Sequence, residues 1–156
     1  MQICKYVVYL CIQLIQHLET MKLFRSILLN EGEEINASNL GNSWTLCDIF
    51  AEDHADDING FHGKDGYVIL SIDVSENMID FDNSLFSMEH RENEFEIVVD
   101  SEDVECEVYL VQGIEFDENQ IIKGNTGSNE FDDYTNEYNG DLTKKDLINL
   151  INEFQD

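Results

Sequence analysis

Residues 91–100 read RENEFEIVVD, and their alternation of acidic and apolar side chains indicates a β-strand. Glutamates at positions 92, 94 and 96 alternate with apolar residues at 95, 97 and 99. Because successive side chains of a strand point to opposite faces, the three carboxylates would share one face and the three apolar groups the other. The pattern predicts a strand over residues 94–100 whose acidic face is either a solvated surface or a functional site.

Segments on both sides of this stretch predict an α+β fold. Apolar and β-branched runs at 22–29, 67–74 and 105–116 predict strands, and the DSED turn at 100–103 would join the last two strands of the chain. Apolar residues at helical spacing predict a helix within 44–58, started by Ser43 or Thr45 as its N-cap. Helices early in the chain and antiparallel strands later are typical of a single compact domain with mixed or antiparallel sheets and flanking helices.

The domain organisation follows from composition. The 156 residues are 42% hydrophobic, enough for one domain with a core. We divide it into an N-terminal helix (1–20), a core (21–114), an acidic loop (115–140) and a C-terminal amphipathic helix (141–156), in which Thr143 and Asp146 would form a capping box. The N-terminal segment is too polar to span a membrane, and Met21 remains open as an alternative start.

The net charge restricts the partners. The chain carries 34 Asp and Glu against 8 Lys and Arg, a formal charge of -26. A field of this sign repels nucleic acids and anionic membranes and attracts basic surfaces, so we expect a basic or nucleic-acid-binding protein partner and no direct contact with nucleic acid or membrane. Carboxylates spread over a folded surface can also imitate the phosphates of a duplex.

Metal and disulfide chemistry have little support in the sequence. The four cysteines are scattered without a C-x-x-C pair, which favours reduced thiols in a cytoplasmic protein. Two Asp-rich and Asn-rich loops resemble calcium loops, but one would begin at Ala55 and end at Gly66, and the other would begin at Thr135, where an acidic residue is required. We therefore expect no metal site.

Arg25 is the first candidate for binding chemistry. It lies inside the apolar run LFRSILL, in a chain with only two arginines. A guanidinium in an apolar strand needs an anion. That anion is either one of the chain's carboxylates in a structural ion pair or a phosphate or carboxylate of a ligand, bound in a fork geometry.

Three motifs in this order resemble those of a known family. Arg25 in FRS is followed by NSWT at 42–45 and by ENEFEIVV at 92–99. An arginine on an early strand, a Ser/Thr strand before a helix and an E-x-E strand resemble the mono-ADP-ribosyltransferase family of the Arg-Ser-Glu type. The resemblance covers residues 22–112. The sequence departs from the family's pattern at Trp44, which stands between the two hydroxyls, and at DSED, which replaces a Pro-Gly turn.

The resemblance implies a transferase-like fold and NAD as co-substrate. Arg25 would hold the phosphates or the nicotinamide-side ribose of NAD, and Ser43 or Thr45 would support the strand and ribose near the reaction centre. The second glutamate of E-x-E would stabilise the positive charge that develops as nicotinamide leaves, and the first would orient or deprotonate the acceptor. Two registers remain open, Glu92 with Glu94 or Glu94 with Glu96.

Two functions from different classes follow. The first is NAD-dependent mono-ADP-ribosylation of a host protein in the host cytoplasm, since the small size resembles that of transferases carried by phages and fits an anti-defence effector. The second is a non-enzymatic acidic inhibitor, of the anti-restriction or anti-CRISPR type, that mimics nucleic acid and blocks a basic groove. The charge of -26 favours this alternative.

Overall fold

A computed structural model describes residues 20–36, 40–91, 94–99, 105–122 and 137–155, and for 58–62 it describes the backbone alone. The predicted helix over 1–20 therefore lies outside the described residues except for its last position. Residues 123–136 of the predicted acidic loop also lie outside the described residues. The described start of that loop contains a 3-10 turn at Glu118–Gln120, and Ile121 just after it forms a β-bridge with Ile35.

A five-stranded antiparallel sheet forms the centre of the described part of the chain. Its spatial order is β4-β2-β1-β3-β5, and every neighbouring pair is antiparallel. The strands are β1 (Met21–Leu29), β2 (Ser43–Thr45), β3 (Gly66–Val74), β4 (Glu96–Val98) and β5 (Glu107–Gln112). The predicted strands at 22–29 and 67–74 are confirmed as β1 and β3, which pair along nine residues each.

The last two strands differ from the prediction in length and position. β4 has three residues instead of the predicted seven, and β5 is shorter than 105–116. The prediction that DSED joins them as neighbours was wrong, since β4 and β5 occupy opposite edges of the sheet. β4 pairs instead with β2, the short strand Ser43–Thr45 that precedes the helix Asp48–His62.

Three helices pack against the sheet in the described residues: α1 (Asp48–His62), α2 (Phe81–His90) and α3 (Lys144–Phe154). The predicted N-cap of α1 was wrong, because Ser43 and Thr45 lie in β2 and the sulfur of Cys47 accepts from the Phe50 amide instead. The predicted capping box of Thr143 and Asp146 is confirmed at the start of α3. Helix α2 was not predicted.

The two faces of the sheet bury different residues. One face, with α2 and α3, forms the main core, to which Leu23, Ile27 and Leu147 belong. The other face packs on α1 through a smaller cluster that includes Phe24 and Ala51. Alternate residues of β1 thus enter different cores, as the two-residue period of a strand requires. This arrangement is an α+β domain.

Helix α2 covers the outer edge of β4. The Val98 amide donates to the Ser84 hydroxyl at 2.9 Å, and the Asp80 amide donates to the Val98 carbonyl at 2.9 Å. These bonds satisfy edge groups of the strand that would otherwise be free to pair with another chain. Among the described residues, no helix combines the length and apolar character that crossing a membrane requires.

Candidate functional site

A cavity of about 350 Å³ opens between the sheet and the first half of α1. Its walls come from residues 24–26 of β1, from β2, from α1 and from the segment that joins α2 to β4. Most of the side chains predicted from the sequence line it, namely Arg25, Ser43, Thr45, Glu94 and Glu96. The sixth candidate, Glu92, lies outside the described residues. Segments that are far apart in the sequence therefore meet in one cavity.

Arg25 bridges β1 and β2. These two strands pair at Phe24 and Thr45, one residue before Arg25. The Arg25 guanidinium donates through Nη1 to the main-chain carbonyl of Ser43. This hydrogen bond fixes the guanidinium at the cavity wall through β2, and Arg25 is only partly buried there.

Ser43 and Thr45 lie on the opposite face of β2 from Trp44. The Trp44 side chain is 1% exposed and belongs to the main core, where its cross-strand neighbour is Ile97. The tryptophan that interrupts the Ser/Thr motif is therefore a core residue placed by the two-residue period of the strand. All three residues of β2 contribute atoms to the wall of the cavity.

Thr45 holds the turn that carries Glu94. Its hydroxyl donates to the Glu94 carbonyl at 2.8 Å and accepts from the Cys47 amide at 3.2 Å. The Leu46 amide donates to the Phe95 carbonyl at 2.9 Å. Thr45 at the end of β2 and Leu46 just after it thus bind the carbonyls of Glu94 and Phe95, the two residues before β4. These hydrogen bonds set the position of the turn.

The prediction that the glutamates share one face of a regular strand was wrong. Glu94 lies in a turn, and Phe95 has a φ of 51°, in the left-handed region that a non-glycine residue rarely adopts. Regular alternation therefore begins only at Glu96. The apolar half of the prediction fits the structure, since Phe95, Ile97 and Val99 all pack in or against the main core. The ring of Phe95 lies 4.9 Å from that of Phe154 in α3.

Glu94 and Glu96 differ in environment. Glu96 is 8% exposed and accepts a hydrogen bond from the Ser87 hydroxyl of α2. The Glu94 side chain is 44% exposed. Burying a carboxylate costs free energy unless partners compensate for the lost water. An apolar residue at position 96 would therefore be less costly to bury than Glu96.

Arg91, His54 and Phe50 line the same cavity and were not predicted. Arg91 ends α2, and its Nη1 lies 3.7 Å from Glu96 Oε2 and 3.9 Å from Glu94 Oε2. His54 stacks on Phe50 one helical turn away, with ring centroids 5.6 Å apart. The spacing of four residues between Phe50 and His54 is the sequence signal that could have indicated this aromatic pair, because residues four apart are neighbours on a helix surface. The signal for Arg91 was its rarity, since the chain has only two arginines.

Two tyrosines fasten α1 against the sheet beside the cavity. The Tyr67 hydroxyl donates to Asp56 at 2.8 Å, and the Tyr109 hydroxyl donates to Asp48 at 2.7 Å. Burial, followed by the hydrogen bond to Asp56, raises the pKa of Tyr67 to about 12. The hydrogen bond to Asp48 is the main reason that the pKa of Tyr109 is raised. The two hydrogen bonds connect β3 and β5 to α1.

The cavity combines guanidinium groups, which bind phosphates, with carboxylates, which stabilise developing positive charge. A volume of about 350 Å³ falls in the range of small-molecule sites. Such a site suits a ligand that carries both an anionic group and a centre that becomes cationic during reaction.

Comparisons of the chain with protein-family models, with curated proteins and with solved structures found no match.

Proposed function

We propose that the protein is an NAD-dependent mono-ADP-ribosyltransferase that modifies a host protein. The observation that carries this proposal is the convergence of Arg25, Thr45, Glu94 and Glu96 around one cavity. The motif resemblance depended only on the order of these residues along the chain. Their presence around one cavity is a separate, spatial requirement of an active site.

The residues fit the parts of NAD. Arg25 would place its positive charge beside the diphosphate, from a position that its hydrogen bond to the Ser43 carbonyl fixes. In this proposal the ribose would lie beside Glu94 and Glu96, which line the same cavity. NAD supplies a cationic nicotinamide that leaves with the electron pair of its glycosidic bond. A fixed carboxylate beside the ribose stabilises the charge that remains, and this stabilisation needs little reorganisation during the reaction.

Burial favours Glu96 as the catalytic residue and Glu94 as the acceptor-facing one. Glu96 is held by Ser87 and is shielded from water, so its charge acts in a region of low dielectric constant. The more exposed Glu94 can reach an incoming protein. The acceptor nucleophile bonds to the anomeric carbon as nicotinamide departs, and Glu94 takes the proton that the nucleophile loses.

The positioning of these carboxylates depends on Thr45. Its hydroxyl bonds to the Glu94 carbonyl, so a shift of β2 would move the turn and both glutamates with it. Reactive groups have to be held closely for efficient transfer, and small displacements are costly. Thr45 therefore acts as a positioning residue in this proposal, with no direct contact to the reacting atoms required.

Incubation of the purified protein with labelled NAD and a host lysate tests the proposal. We expect labelled protein bands and released nicotinamide, both strongly reduced in Glu96→Gln. Glu107→Gln is the matched control, because it makes the same chemical change at an exposed position of β5 outside the cavity. A folded wild-type protein that releases no nicotinamide and labels no protein would contradict the proposal.

A second candidate, the acidic inhibitor, is favoured by the surface of α1. Four carboxylates of this helix are exposed, in two pairs spaced four residues apart: Glu52 with Asp56 and Asp53 with Asp57. Residues at this spacing are neighbours on a helix surface, so the pairs form two rows of negative charge. Such rows could occupy a basic groove that otherwise binds nucleic acid.

Salt dependence separates this candidate from the enzyme. A phosphate mimic should retain its partner at low salt and release it as salt rises, without any requirement for NAD. We would measure partner retention from a host lysate across a salt series, with wild type and with an Asp53→Asn, Asp57→Asn double variant, which leaves the Tyr67–Asp56 hydrogen bond intact. Retention that is insensitive to both salt and the double substitution would exclude phosphate mimicry by α1.

A further inference from the structure

Both arginines of this strongly acidic chain line the same cavity. Arg25 comes from β1, whereas Arg91 lies at the C-terminal end of α2, where its amide donates to the Ser87 carbonyl. A cation at a helix C-terminus is stabilised by the helix dipole, which helps to keep Arg91 at this place. The sequence resemblance assigned a role to Arg25 and none to Arg91.

The contacts of Arg91 with the described residues leave its donors available. Nη1 lies 3.7 Å from Glu96 and 3.9 Å from Glu94, and both distances exceed that of a hydrogen bond. The Arg91 side chain is 58% exposed. A loose and solvated ion pair of this kind contributes little to stability. The guanidinium can therefore exchange these carboxylates for a better-fitting anion at low cost.

We propose that Arg91 binds the diphosphate of the co-substrate and moves away from Glu94 and Glu96 as it does so. This inference rests on the proposed function and deepens it. Phosphate oxygens offer a planar guanidinium two parallel hydrogen bonds, which are shorter and stronger than the present contacts. This movement would also end the present contacts of Arg91 with the two carboxylates.

The charge of the whole protein strengthens the need for a second arginine. A dinucleotide carries negative charge and meets a field from a chain of net charge -26. At physiological salt, charges more than about 8 Å away are largely screened, so the groups that line the cavity decide whether an anion binds. At the cavity wall the positive charges of two guanidinium groups offset the negative charges of two carboxylates. The chain as a whole has no such balance of charge.

Calorimetric titration with ADP-ribose, which keeps the diphosphate and lacks nicotinamide, tests this role. We expect Arg91→Gln to weaken binding about 10- to 100-fold, the range for loss of hydrogen bonds to a charged group. Arg91→Lys should lose less, since it keeps the charge without the fork. Lys64→Gln is the matched control, because it removes one positive charge at a residue that pairs with Glu33 outside the cavity.

The outcomes separate the inference from the proposed function. If Arg91→Gln binds ADP-ribose within twofold of wild type, Arg91 is not a phosphate ligand, whatever the enzyme does. A purely structural role would lower the melting temperature of Arg91→Gln and leave its affinity unchanged, which also overturns the inference. If Arg91→Gln binds ADP-ribose more weakly but the wild type releases no nicotinamide, the result supports the diphosphate site and refutes the transferase. Wild type that binds no ADP-ribose refutes both.

Discussion

Glu96→Gln removes the charge of a buried side chain and keeps its shape. The glutamine carbonyl can still accept the hydrogen bond from Ser87. The substitution loses the contact with Arg91 at 3.7 Å, which is worth about 0–1 kcal/mol for a partly exposed pair. It also removes the cost of burying a carboxylate that is 8% exposed. These effects oppose each other, so we expect the free energy of unfolding to change by less than about 1 kcal/mol.

The effect on turnover should be much larger. A preorganised group that stabilises developing charge contributes roughly 10²- to 10³-fold to the rate, or about 2.7–4 kcal/mol. The proposed function therefore predicts that Glu96→Gln lowers the rate of nicotinamide release by at least about 100-fold. Urea denaturation of the same samples measures stability, and Glu107→Gln should match wild type in both assays.

Two results would refute this reasoning. Nicotinamide release within tenfold of wild type would mean that Glu96 is not the catalytic carboxylate, and Glu94→Gln would then be the next variant. Destabilisation by more than about 3 kcal/mol would mean that the charge of Glu96 anchors α2 to β4. Loss of activity in that case would report unfolding instead of catalysis.

Three further substitutions test other parts of the structure. Thr45→Val removes the hydroxyl that binds Glu94 and Cys47, and we expect a loss of about 1–3 kcal/mol in urea denaturation together with slower nicotinamide release. Thr143→Ala removes the cap of α3 and should cost about 1 kcal/mol by the same measurement, without changing turnover. For Tyr67, the folded-state pKa of about 12 exceeds the ordinary 10.0, so its contribution is complete below pH 10 and is lost as pH rises toward 12. The free energy of unfolding should fall over that interval less steeply in Tyr67→Phe.

The parts of the fold that could be predicted are those specified by local patterns. β1 and β3 are long apolar runs, and α3 begins with a capping box and continues as an apolar stripe through Leu147 and Ile151. Each of these signals depends on a few neighbouring residues. Strand order depends instead on which edges remain open in three dimensions, and β2, with only three residues, takes the edge beside β1. A pattern of this length could not reveal that β4 would pair there.

The sequence pointed to some of the residues that line the cavity and not to the cavity's geometry. Arg25, Thr45 and Glu94 were identified from residue type and order, and all three line the cavity. The sequence could not show that Phe95 adopts a positive φ, because a phenylalanine carries no signal for the left-handed region. Arg91 was missed because α2 was missed, and without that helix nothing brought residue 91 close to β1.

Within the proposed transferase function, the acidic surface and the cavity would have different tasks. Exposed carboxylates on α1 lie outside the cavity, and the two arginines lie at its wall. An acidic exterior increases the encounter rate with a basic protein and does not by itself hold a small anion. An arginine-lined cavity holds the anion and does not select the protein. A transferase needs both properties, because its co-substrate is anionic and the target that the charge favours is basic. If the proposed function is correct, the acidic surface would dock the target and the cavity would present ADP-ribose to it.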